Sequence, residues 1–275
     1  MKVTIIGLGL IGGSIARSLK RSGDVCITAV DNNEQVLLDA VSLGVIDRKA
    51  SVYDLEDSDV VYLCLYPDAA LEFTEKNKNR FGKNTVLTDV CGIKTYIYPK
   101  LKAIADEAGF TYIGSHPMAG KEQSGFSASD ASLFYGASYI IVDNGENNEA
   151  VGILKELALR MGFGKIVFAT SDEHDKAIAY TSQLPHVLAC AYVLSPMCSK
   201  HDGFSAGSYR DVSRVADINA KLWTELFISN KESLTDEIDT LIKNMEAFKS
   251  LIKEGNAEEL KAVLQNAGDN KRKYG

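Results

Sequence analysis

MKVTIIGLGLIGGSIARSLK, residues 1–20, places a short apolar run, a glycine cluster and a helix-forming stretch in direct succession. The cluster reads G-x-G-x-x-G at Gly7, Gly9 and Gly12. Each glycine has a separate task in that spacing. Gly7 permits a tight turn, Gly9 lets the backbone approach a pyrophosphate, and Gly12 allows the helix to pack closely on the strand. Leu10 and Ile11 lie in the opening turn, where free N–H groups and the positive end of the helix dipole attract an anion. The run 25–30 reads as a second strand ending at Asp31, about 20 residues beyond the glycines, where a carboxylate accepts the ribose hydroxyls of a dinucleotide. Asn32 and Asn33 follow, with no arginine to receive a 2′-phosphate. This pattern predicts a Rossmann-type domain that binds NAD in preference to NADP.

Outward from that unit, the runs 60–65, 86–88 and 110–114 are further candidate strands. Helical patterns over 13–21, 34–43, 69–79 and 96–107 separate them. Strands buried on both faces with helices between them imply a parallel sheet with right-handed crossovers. Two later strands, 138–142 and 165–168, flank a helix over 149–161 and extend the same sheet. After Thr170 the strand signal stops. Residues 172–197 have helical spacing, with a kink expected at Leu184-Pro185. Amphipathic helices follow over 221–230, 234–253 and 257–266, with Gly255 terminating the second of them. The fold class is therefore α/β: a dinucleotide-binding domain over 1–170, then an all-helical domain over 171–275.

At 275 residues the chain is long enough for two such domains. Its net charge of −7 argues against a nucleic-acid partner, because phosphate backbones are met by clustered Lys and Arg. Cys26, Cys64, Cys91, Cys190 and Cys198 are scattered and odd in number, which reads as buried free thiols in a reducing compartment, with no metal site. The apolar N-terminal run is broken by glycines and lacks a small-residue cleavage site, and no run reaches the ~18 apolar residues of a membrane span. A soluble, cytoplasmic protein is expected.

The stretch GSHPMAGKEQSG, 114–125, sets His116 among proline and glycines just past a strand. In open parallel sheets, ligands bind beyond the carboxyl ends of the strands. That rule aims His116 at the nicotinamide half of the cofactor and adds Leu65, Tyr66 and Asp89 as cofactor-side candidates, with Ser115 on the substrate side. An imidazole can take the hydroxyl proton when an alcohol carbon loses hydride. The residues also admit a histidine satisfied only by backbone groups.

GLGLIGGS (7–14), TDVCGIK (88–94), GSHPMAGKEQSG, TSQLPH (181–186) and SYRDVSRVA (208–216) occur here in the order found in the prephenate/arogenate dehydrogenases, and the chain resembles that family over nearly its whole length. The resemblance implies oxidative decarboxylation of prephenate to 4-hydroxyphenylpyruvate with hydride transfer to NAD⁺, in tyrosine biosynthesis. It implies His116 as the catalytic base and His186 and Arg214 as substrate-binding residues. Arginine suits a carboxylate because its fork of donors stays charged when desolvated, and Asp211 is expected to brace Arg214. His174, within DEHDK, matches the family too but reads from its charged neighbours as exposed or structural. The family often has a serine where this chain has Gly92, which leaves the proton path open. The alternatives are the same chemistry on arogenate, a catalytically impaired NAD-binding homologue, or a β-hydroxyacid-type dehydrogenase, which would use a helix lysine instead. Apolar positions in excess of what one short bundle buries, together with the resemblance, imply a homodimer through the helical domain.

Overall fold

The computed structural model describes residues 1–121, 123–142 and 148–274. Glu122, inside the histidine-bearing stretch, lies outside them. Eight strands form one sheet: β1 (Lys2–Ile6), β2 (Cys26–Val30), β3 (Arg48–Lys49), β4 (Val60–Leu63), β5 (Val86–Asp89), β6 (Thr111–Pro117), β7 (Ser138–Val142) and β8 (Lys165–Ala169). Their order is β3-β2-β1-β4-β5-β6-β7-β8. The chain reverses direction across the sheet between β1 and β4, so the loops after these strands border the crevice where such sheets bind ligands. Helices α1 (Leu10–Ser22), α2 (Glu34–Ser42), α3 (Pro67–Asn77), α4 (Tyr98–Ala108) and α5 (Asn148–Met161) connect the strands.

The sheet is mixed where a continuous parallel one was expected. β1 to β6 pair in parallel, but β7 runs antiparallel to β6 and parallel to β8. A parallel return needs a crossover, usually a helix. Among its described residues the segment from β6 to β7 contains only a 3₁₀ turn at Phe126–Ala128, and its later part lies across α1, where Asp130 N–H bonds Ser14 Oγ at 3.0 Å and Arg17 Nε bonds Ser129 Oγ at 2.8 Å. The antiparallel partner also lengthens β6. Gly114, Ser115, His116 and Pro117 pair with Val142, Ile141, Ile140 and Tyr139, so His116 lies within a strand and not after it. The two-residue edge strand β3 shows no periodicity in sequence and was not anticipated.

Both faces of the sheet are buried. On one, Val3, Ile5, Ile27 and Tyr139 join a cluster with Ile15, Leu19, Leu154 and Leu157 of α1 and α5. On the other, Ile6, Val61, Leu63 and Leu87 join Ile97, Tyr98 and Leu101 at and before α4. Continuous apolar strands are the sequence mark of this double coverage. All five cysteines are free thiols, but only Cys91 is buried and Cys26, at the start of β2, is exposed.

Beyond β8 the chain is helical. Thr170 and Glu173 form a reciprocal cap at the start of α6 (Ser171–Ile178). A π-helical turn, Ala179–Gln183, then leads into α7 (Leu184–Val193), whose second residue is Pro185. Proline has no N–H to donate four residues back, so the helix widens there instead of continuing regularly. α8 (Gly207–Ser213), α9 (Ala220–Ser229), α10 (Lys231–Glu254) and α11 (Ala257–Tyr274) complete the fold, with Gly255 in the left-handed conformation at φ 67°. Among the described residues no helix is long and apolar enough to cross a membrane.

Candidate active site

The glycine loop has the geometry its spacing requires. Gly7 has φ +92°, and a Cβ there would stand 2.7 Å from the Cys64 carbonyl oxygen. A Cβ on Gly12 would stand 2.0 Å from the Gly7 carbonyl, whereas one on Gly9 would meet nothing within 4 Å. Gly7 and Gly12 are thus needed by the fold, and Gly9 faces open space. α1 begins with no side-chain cap and no acidic residue in its first turn, leaving its N–H groups to an outside anion. Asp31 accepts the Leu8 N–H at 2.7 Å and the Asn33 N–H at 2.8 Å. Half-buried, the carboxylate braces the loop and retains lone pairs for a diol. These residues fit a dinucleotide. Leu65 lies against the loop, its Cδ2 3.0 Å from the Gly7 Cβ position. Exposed Tyr66 accepts a hydrogen bond from Asn219 Nδ2 at 3.2 Å, which ties this rim to α9.

His116 stands half-buried at the end of β6. Its Nδ1 is 2.9 Å from Nε2 of His174, and Nδ1 of His174 is 2.6 Å from Oδ1 of Asp175. Asp175 also accepts the Lys94 N–H at 2.8 Å, the Thr95 N–H at 2.7 Å and the Thr95 hydroxyl at 2.5 Å. Burial alone would raise its pKa, but the hydrogen bonds from His174 and Thr95 outweigh it and hold the carboxyl below its ordinary value. An ionised Asp175 can only accept, so His174 carries its proton on Nδ1 and presents a bare Nε2. His116 must then donate from Nδ1, which leaves its own Nε2 unprotonated. Burial first, then His174 and Lys94, push the His116 pKa well below the usual 6.5, and burial likewise lowers that of His174.

The basic nitrogen faces Gly92. A Cβ there would lie 3.7 Å from His116 Nε2, and equally 3.7 Å from Cδ2 of Leu226 on α9. The helical part therefore supplies the opposite wall. On it, His186 stacks on Trp223 with ring centroids 3.8 Å apart, and Trp223 lies 5.3 Å from Phe227. His186 Nδ1 bonds the Ser182 carbonyl at 2.7 Å. Arg214 opens a 3₁₀ turn that packs on α7, the helix carrying His186.

Two candidates read from the sequence, Ser115 and Asp89, have side chains committed to the fold. Ser115 is buried on the sheet side, its hydroxyl donating to the Asp89 carbonyl at 2.7 Å and meeting Thr88 and Tyr139. Adjacent strand residues point to opposite faces, so with His116 in the cleft Ser115 cannot be there. Asp89 is fully buried in an ion pair with Lys94 and accepts from Tyr112 and from the Cys91 N–H, so its carboxylate is committed to the fold. Asp211 is exposed on α8, one turn before Arg214. Conversely, His174 is 1% exposed, not a surface residue. The signal was available: Ile178, four residues on, is also buried, which puts both on the inward face of α6 while Asp172, Glu173 and Lys176 face out. Trp223 and Leu226 carried no motif and were missed.

A glycine loop at the first helix of a doubly wound sheet defines a dinucleotide-binding protein, and the helical part extends it into a two-part oxidoreductase. Residues 15–167 match the family described as prephenate dehydrogenase, nucleotide-binding domain, and 170–266 match prephenate dehydrogenase, dimerization domain. The chain belongs to the prephenate dehydrogenase family. It is 30% identical over 254 residues to the prephenate dehydrogenase of Lactococcus lactis, covering 89% of this chain and 69% of that one. Among solved structures it is similar to prephenate dehydrogenase from A. aeolicus in complex with hydroxyphenyl propionate and NAD⁺ (TM-score 0.89, 28% identity, 100% and 98% covered). It is also similar to Synechocystis arogenate dehydrogenase (TM-score 0.85, 26% identity, all of both chains covered).

Proposed function

We propose that this chain oxidises prephenate to 4-hydroxyphenylpyruvate and CO₂ with NAD⁺ as acceptor. The observation that carries the reading is the hydrogen-bonded chain from His116 Nδ1 through His174 to Asp175, which assigns His116 Nε2 as the free basic nitrogen, on the side of Gly92 and Leu226. In this reading Nε2 takes the proton of the ring hydroxyl as the carbon beneath it loses hydride. The hydrogen bond that His174 accepts from His116 Nδ1, itself oriented by Asp175, then holds the imidazolium in place while the proton is on Nε2. The bound nicotinamide supplies the hydride acceptor. Loss of CO₂ makes the ring aromatic and draws the reaction forward, so the protein's work is orientation and deprotonation.

Gly7, Gly9, Leu10, Ile11 and Gly12 would hold the pyrophosphate, Asp31 the adenosine ribose, and Leu65 and Tyr66 the rim. Asp31 favours NAD because a carboxylate repels a 2′-phosphate. Arg214 is assigned to a substrate carboxylate, and His186, stacked on Trp223, to the substrate's side chain. The division near Ser171 into a dinucleotide domain and a helical domain accords with the two family matches, and the helical part would form a homodimer.

Arogenate is the second reading, favoured by the Synechocystis likeness. One assay separates them: each substrate with each of NAD⁺ and NADP⁺, following reduced nicotinamide. The main reading expects the largest kcat/KM for prephenate with NAD⁺. Turnover of neither substrate with either cofactor rejects both.

A further inference from the structure

The TSQLPH stretch contains a residue that the reaction as described leaves unused. Gln183 closes the π-helical turn and is 1% exposed, and Asn230, at the joint between α9 and α10, is 5% exposed. Asn230 Nδ2 donates to the Asp175 carbonyl at 2.9 Å and to Gln183 Oε1 at 2.7 Å. Gln183 Nε2 in turn donates to the Leu226 carbonyl at 3.2 Å. Both partners of the Asn230 amide nitrogen are acceptors, so each carboxamide has one possible orientation. The pair joins two features of the site by hydrogen bonds. One is the residue that fixes the tautomers of His174 and His116; the other is the residue whose side chain faces His116 Nε2 across Gly92.

We propose that Gln183 and Asn230 form a buried carboxamide clamp that sets the separation between the general base and the apolar wall of the substrate cleft. They are positioning residues, acting through Asp175 and Leu226. The π turn supports the assignment. Such turns are rare within helices and frequent at functional sites, and this one ends on the residue that reaches Leu226. Buried, fully satisfied amide networks are also a means of specifying one arrangement of packed elements. A misplacement of about 1 Å at reacting groups can cost ~10²-fold in rate, so the clamp matters for turnover without touching substrate.

The proposal rests on the oxidation of prephenate described above, and its test separates the two. Asn230→Ala removes both donors, Gln183→Glu removes the donor to Leu226 while keeping shape, and the double variant removes the clamp. With saturating prephenate and NAD⁺, each single variant is expected to lose about 10–100-fold in kcat while NAD⁺ binding changes less than about twofold. Because the pair acts as a unit, the double variant should be no worse than the worse single one. Independently of activity, ¹⁵N NMR of the imidazoles should show His116 as the Nδ1–H tautomer in the parent chain and a tautomer mixture in Asn230→Ala. Unchanged kcat in a folded variant, losses confined to KM, additive losses, or an unmoved tautomer signal would each overturn the clamp. So would failure of all three variants to fold, which would assign the pair to stability alone. A parent chain inactive on prephenate rejects the reaction, and the NMR comparison still decides the clamp.

Discussion

The two parts of the chain close their apolar surface differently. In the sheet part, Ile5, Val60, Leu154 and Leu157 are fully buried between strands and helices of the same copy. In the helical part, Leu194, Phe204 and Ile252 are 82%, 92% and 65% exposed, and α11 lies against α10. A sheet covered on both faces is complete by itself. A pair of amphipathic helices covers only part of each other, and apolar area left in water is a loss of roughly 25 cal/mol per Å². The lesson is that the dinucleotide part can be understood from one copy, whereas the helical part calls for a second surface, in keeping with its match to a dimerization domain.

The contrast is sharpest where the parts meet. His116→Asn should leave NAD⁺ binding intact and lower kcat by about 10²–10⁴-fold, the usual contribution of a general base; turnover near that of the parent chain removes His116 from its role. Within the sheet part, Leu154→Ala should lower unfolding free energy by about 2–5 kcal/mol at any protein concentration, read from urea denaturation. Ile252→Lys in the helical part should instead make thermal stability independent of concentration and shift sedimentation toward the monomer. If it does neither, α10 is simply a solvated helix and the contrast fails.

The pH dependence tests the base directly. Only neutral His116 can accept a proton, and its pKa is lowered by burial, so activity should persist below pH 6.5 and fall at more acidic values. A kcat/KM profile with its acidic limb at or above 6.5 would place the base elsewhere. The smallest effect on the reaction is expected from Asp31→Ala, which should narrow the ratio of NAD⁺ to NADP⁺ efficiency and, by releasing the Leu8 and Asn33 N–H groups, lower stability modestly. An unchanged ratio counts against the ribose assignment.

Much of this molecule can be read before any coordinates. The glycine loop was legible because three glycines at fixed spacing answer three local steric demands, each of which the structure shows as a close contact or an open space. A local break in the regular helix before Pro185, found as a π-helical turn, was legible because proline's missing donor is a property of one residue. The direction of β7 was not, since it depends on how the stretch carrying Ser129 and Asp130 crosses α1, and that stretch has no period to read. His174 was legible only through its spacing from Ile178, a helical signal that its charged neighbours mask on the inward face of α6. Ser115 and Asp89 were misassigned for a related reason: proximity in sequence to a cleft does not say to which side of a strand a residue points.

What the sequence determined by itself is what local chemistry enforces: the dinucleotide loop, the alternation of strands and helices, the switch to helix after Thr170, and the family. What only the tertiary structure decided is the environment of His116. Its tautomer depends on Asp175, itself set by two backbone amides and a hydroxyl some 80 positions away in the chain, and its open face depends on Gly92 and Leu226 meeting across the two parts. Such long-range hydrogen bonds have no signature in spacing, because the fold brings their partners together only after each has been placed by its own local rules.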